Sequence, residues 1–199
     1  MWKTSWQSVG LPYLTRRSAS GVGSLESITL GNSGDDRVAW GGTWHLDELF
    51  VTVQGQRQYL WRAIDQDGDV IDILVQPRRD QLAAQRFFRK LLKGQEREPR
   101  RLVTDKLRSY EAAHRTIMPS VMHDTKRYAN NRAEVSHEPI RQRERQMRGF
   151  KSAAQAQRFW SIHGVIQNLF RVGRHLLRSV NHRLLRSRSF LVWQEITCA

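Results

Sequence analysis

Cysteine is almost missing from this chain. The single one, Cys198, stands beside the C-terminus, so no intramolecular disulfide can form. That suits a reducing compartment, and a cytoplasmic location is expected. Long apolar runs are missing too: no stretch of about 18 apolar residues occurs, which leaves no candidate for a membrane-spanning helix. Residues 1–30 lack the continuous apolar core of a secretory signal. Acidic side chains are scarce, with 19 Asp and Glu against 33 Lys and Arg, a formal net charge of +14 and a pI near 11.1. Such a balance points to a polyanionic partner, the plainer alternative being a basic protein with none.

What is present divides into three parts. Residues 1–42 are rich in Ser and Gly, hold neither helical nor strand periodicity for long, and read as a poorly ordered or degenerate remnant. Trp2, Trp6, Leu11 and Tyr13 have no pattern that specifies docking. Residues 43–152 read as one domain. WHLDELFVTV, YLWRAID and VIDILVQ form a three-stranded meander, turned at Gly55 and at Asp67-Gly68. A helix follows, N-capped by Asp80 and stopped at Gly94. Then come a strand RLVTD, a helix SYEAAHRTIM, a strand VMHDTK and a helix opening at NNRAEVSHEPIRQRERQMR. Residues 153–199 are expected to add a basic helical extension. This α/β order is that of an RNase H-like mixed sheet flanked by helices, which sets strands one and four side by side.

That topology draws attention to two aspartates. Asp47 lies inside an apolar strand with Trp44, Leu46, Leu49 and Phe50, where a buried carboxylate is costly unless paired or metal-bound. The alternative is that alternation turns Asp47 to solvent while Leu46 and Phe50 face in. Asp105 ends the fourth strand, either projecting into a crevice or capping the next helix. Glu134 opens a basic helix from which it would reach the same point. Glu48 competes for the site but points to the other strand face, and Glu138 and Asp124 rival Glu134 as the third ligand. Carboxylates are the hard donors that Mg²⁺ or Mn²⁺ prefers, and a pair of such ions drives in-line attack on phosphodiesters. An acidic cluster in a basic chain suits a metal-dependent nuclease or strand-transfer enzyme. His123 and His137 suggest zinc, yet no Cys partner or HExxH spacing supports it.

The basic helix carries Arg132, Arg141, Arg143, Arg145, Arg148 and Lys151, whose forks suit phosphate oxygens. A solvated face is the bland reading. Arg171, Arg174, His175, Arg178, Arg183, Arg186 and Arg188 repeat the theme between Leu176, Leu177, Leu184 and Leu185.

Taken together, WHLDE, YLWRAID, DGDVIDILV, RRD, VTDK, NNRAE with SH, RQRERQMRGFKS and AQRF resemble the DDE transposases of bacterial insertion sequences, most of all the insertion-sequence six type. The likeness spans residues 43–180. It implies an RNase H-like core with Asp47, Asp105 and Glu134 as catalytic triad, holding two Mg²⁺ or Mn²⁺ ions. It also implies cleavage and strand transfer on double-stranded DNA, at insertion-sequence ends and target, by a homo-oligomer in the bacterial cytoplasm. Such enzymes carry a helix-turn-helix before the core, and residues 1–42 show none, so a truncated and inactive copy is an expectation too. An inert DNA-binding remnant and a metal-dependent nuclease remain the alternatives.

Overall fold

The computed structural model describes residues 42–171 and 179–198. The expected remnant over 1–42 therefore lies, apart from Gly42, outside the described residues, as do Arg174, His175, Leu176, Leu177 and Arg178.

β1 (Thr43–Val53), β2 (Gln56–Ile64) and β3 (Val70–Gln76) form the antiparallel meander. Gln54 and Gly55 both take positive φ, 51° and 73°, giving a tight turn whose twist matches the strands. At the second turn Asp65 Oδ1 accepts the N–H groups of Asp67 and Asp69, each at 2.8 Å, and Gly68 supplies a φ of 86°.

α1 (Gln81–Gln95) starts where Asp80 accepts the Ala83 N–H at 2.8 Å. It runs past the expected stop at Gly94. The left-handed residue is Glu96, φ 55°, whose N–H closes onto Leu92. β4 (Arg101–Val103), α2 (Arg108–Ile117) and β5 (Met122–Asp124) follow. β4 runs parallel to β1 over only Thr43–His45, and β5 parallel to β4. The resulting order β3-β2-β1-β4-β5 is the expected RNase H-like mixed sheet.

Alternation along the central strands divides two cores. Trp44, Leu46, Trp61 and Ala63 face one side, where Phe87, Phe88 and Leu91 of α1 and Tyr110 and Ala113 of α2 cover them. Leu49, Val51, Leu60 and Ile73 face the other. That second face is covered by three further helices, α3 (Asn131–Ser136), α4 (Glu138–Gln146) and α5 (Ala153–Phe170). The single helix expected from Asn131 is interrupted at His137, because Pro139 has no N–H to return to the preceding turn.

α5 lay within the expected C-terminal extension, yet it packs into the second core. Trp160 is fully buried against Phe150 and Phe159. The Gln157 and Asn168 side chains accept the Val75 and Val70 N–H groups, each at 2.7 Å, capping the open edge of β3. α6 (Ser179–Thr197) meets α5 through Phe170, Phe190 and Trp193, and through Ser189, which donates to the Leu169 carbonyl at 2.7 Å. No helix among the described residues is long and apolar enough to cross a membrane.

Candidate metal centre

Because β4 stops opposite His45, the next residues of β1 protrude beyond it, beside the loop that follows β4. Asp47 and Glu48 stand there on β1, and Asp105 stands in that loop. One ligand oxygen from each lies within 4.8 Å of the others, a group that, among the described residues, includes neither Glu134 nor Asp124.

Asp47 does not face solvent: its side chain is 14 % exposed. Leu46 faces the first core as the solvent-facing alternative required, but Phe50 is the exposed residue, covered by the Arg57 and Arg141 guanidiniums at 4.7 and 5.2 Å. Asp47 Oδ1 accepts the Glu48 N–H at 2.8 Å, and Oδ2 stands 3.8 Å from His137 Nε2. Burial drives the Asp47 pKa up to about 7, helped by the charges of Glu48, Asp105 and Glu134. His137 does not offset that charge. Burial, then Arg62 and Arg141, drives its pKa down to about 4, so the imidazole is neutral at physiological pH.

Glu48 does leave on the opposite strand face, as alternation requires, and is buried there beside Tyr110. Its carboxylate nonetheless reaches the group, at the stretch of β1 whose edge β4 no longer borders. Burial raises its pKa; the Tyr110 hydroxyl, close by but outside hydrogen-bond geometry, and Arg79 oppose the rise. Arg79 Nε bonds Glu48 Oε1, and Nη2 stands 3.6 Å from Asp105 Oδ2. Asp105 Oδ1 meanwhile accepts the Leu107 N–H at 3.0 Å in a turn ahead of α2; the N-cap of that helix is Leu107, without a side-chain cap bond, so Asp105 does not cap it.

Glu134 lies on the exposed side of α3, near enough to raise Asp47. α3 is tied to β1 by Asn130, whose Nδ2 donates to the Leu46 carbonyl at 2.8 Å. Its rivals are engaged elsewhere. Glu138 pairs with Arg145 at 3.4 Å, both well exposed on α4, and Asp124 pairs with Arg101 at the far edge of the sheet. His123 bonds Thr104 Oγ1 at 2.8 Å and stacks on His114.

These donors fit a divalent cation. All three are carboxylates, the neighbouring charges help to raise the pKa of Asp47 and of Glu48, and Glu48 Oε2 is buried without a hydrogen bond among the described residues. Of the expected DNA-contacting residues, Arg132, Arg143, Arg145, Arg148 and Lys151 are exposed, and Arg141 is half-buried over Phe50. Arg79 and Arg62 were not among the expected site residues. Alternation marks Arg62, which shares a face with Leu60 and Ile64, whereas Arg79 is marked only as part of the RRD motif.

A family profile described as DDE domain matches residues 41–173. Over 115 residues the chain is 30% identical to the transposase for the insertion sequence-like element IS431mec of Staphylococcus aureus, covering 55% of this chain and 51% of that protein. The same figures hold for the Staphylococcus aureus transposase for insertion sequence element IS257 in transposon Tn4003. The chain spans about half the length of these curated relatives. The catalytic core domain of BIV integrase is similar at 13% identity, over 77% of this chain and 99% of that one, with a TM-score of 0.44.

Proposed function

The chain belongs to the DDE domain family, and from that membership we propose that it is a transposase core, cutting DNA and joining 3′-OH ends during insertion-sequence transposition. One observation carries the reading: Asp47 and Asp105, brought together by the pairing of β1 with β4, offer oxygens within 4.8 Å of each other.

In this reading Asp47, Asp105 and Glu134 hold Mg²⁺ or Mn²⁺, two ions in all. When bound, such ions activate the attacking water or 3′-OH and stabilise the leaving oxygen. The chain's own groups prepare the place. The Glu48 N–H holds one Asp47 oxygen and the Leu107 N–H one Asp105 oxygen, which restricts the rotation of both carboxylates. The neutral His137 adds no positive charge beside Asp47. Arg79 pairs with Glu48 and stands 3.6 Å from Asp105 Oδ2, holding a positive charge beside the metal-free carboxylates.

The substrate is double-stranded DNA, at insertion-sequence ends and at the target, with a second copy of the chain in the working assembly. Arg132, Arg143, Arg145, Arg148 and Lys151 supply exposed cations for phosphates, and Arg141 adds a fork held over Phe50. The test uses the full chain and plasmid DNA, with Mg²⁺ or with EDTA. Nicking that needs Mg²⁺, is lost in Asp47→Asn and Asp105→Asn, and leaves salt-sensitive DNA retention intact supports the reading. Nicking that survives EDTA or both substitutions sinks it.

A further inference from the structure

Beside the carboxylates the same sheet face opens into a cavity of about 1130 Å³ between the sheet, α3 and α5. Thr43 and His45 line it from β1, on the side of the strand that carries Asp47. Four arginines reach it, Arg62, Arg101, Arg132 and Arg171, and no Asp or Glu does among its described lining residues.

The floor is Arg62. It is 4 % exposed, and it faces Asp47 in the β1–β2 register, yet its guanidinium turns away from that carboxylate. Nη1 donates to the Ser136 carbonyl and Nη2 to Gln167 Oε1 at 3.3 Å; Nε is buried with no partner among the described residues. Arg132 donates to the Gln66 carbonyl at 2.5 Å and Arg171 to the Gly68 carbonyl. Every one of these acceptors is neutral. Only Arg101 has a carboxylate, Asp124, among the described residues. Burial and the neighbouring Arg171 bring the Arg62 pKa down to about 10, which leaves it a cation at physiological pH. A buried cation with neutral partners and an idle N–H is unfavourable until an anion joins it.

We propose that this cavity binds a phosphate group, with the Arg62, Arg132 and Arg171 guanidiniums as its donors. Planar forks match tetrahedral oxyanions through paired N–H groups, and each of the three has donors left over after its carbonyl bond. The phosphate comes either from a nucleic-acid strand leaving the acidic group or from a free phosphate compound. The first source rests on the transposase reading; the site itself does not.

Titration with pyrophosphate in EDTA tests the site without any catalytic readout. Saturable binding to the wild-type chain is expected. It weakens at least tenfold in Arg62→Lys, which keeps the charge and loses the fork, and in the Arg132→Gln, Arg171→Gln double variant. Asp47→Asn shifts it by less than twofold. Should Arg62→Lys fail to fold, the double variant decides, since Arg132 is exposed and Arg171 lies at the end of α5. Competition then assigns the source. A 5′-phosphorylated oligonucleotide that displaces pyrophosphate identifies a strand phosphate, and one that fails to displace it identifies a free phosphate compound. Absence of Mg²⁺-dependent DNA nicking by the wild-type chain, with its pyrophosphate binding intact, would count against the transposase reading alone. Absence of saturable binding, or an unchanged affinity in the double variant, overturns the inference.

Discussion

Arg79 stands 3.6 Å from Asp105 with its Nε bonded to Glu48, so one cation braces two of the three clustered carboxylates. The Arg79 side chain is 41 % exposed and that of Glu48 only 3 %. The ion pair is therefore screened on one side while its anion is desolvated on the other.

Replacing Arg79 with Ala should cost about 1 kcal/mol of stability in EDTA, a modest value because solvent reaches the guanidinium. Mg²⁺ affinity should rise several-fold, since a competing cation has gone. Urea unfolding and Mg²⁺ calorimetry on the same preparation check both. Weaker Mg²⁺ binding would mean that Arg79 organises the ligands rather than competing for them.

Asp47→Asn should stabilise the metal-free chain while removing its response to Mg²⁺. The folded pKa near 7 lies above the ordinary carboxylate value of 3.8, so the native state holds its proton longer than the unfolded one. Stability of the wild-type chain then falls as pH rises through that window and levels off above it. At pH 8 the substitution should gain on the order of 3 kcal/mol, and below pH 4 the two chains should unfold together. A constant difference across the range would show that Asp47 is not the titrating group.

Trp160→Ala should cost about 3–5 kcal/mol, as expected for a fully buried aromatic, and loosen α5 from the sheet. Urea midpoints and hydrogen exchange at the Val70 and Val75 amides, both bonded to α5 side chains, report the two effects. Fast exchange confined to α5 would instead make it an appendage.

That packing was the part of the fold least legible from sequence. The meander declared itself through alternation and two turns with glycine at positive φ, and Asp80 announced α1 as an N-cap. α5 gave less, because a helix with Trp160 on one side and exposed Ile162 and Val165 on another has no single apolar stripe. Asp47 and Asp105 were readable because each sits on or just after an apolar strand. Glu48 was set aside on alternation, which is sound between paired strands and weaker here, where β4 ends at Val103 and leaves that edge of β1 unpaired. Arg79 reaches the group only through tertiary structure.

Glu134→Gln is the substitution that decides the third ligand. Glu134 is exposed on α3, so the change should leave stability within about 0.5 kcal/mol. Its charge already acts on Asp47, and a metal between the two would shorten that interaction into shared ligation. Nicking should therefore fall on the order of 100-fold or more, with DNA retention unchanged. Glu138→Gln should stay within about twofold, since Glu138 lies beyond the break at His137 and pairs with Arg145. Glu48→Gln is the informative third arm. Losing one neighbouring charge should lower nicking only moderately, because Asp47 and Asp105 keep their bonds from the Glu48 and Leu107 N–H groups. If Glu48→Gln instead abolished nicking while Glu134→Gln left it intact, the working carboxylates would be Asp47, Glu48 and Asp105, the group already assembled without metal.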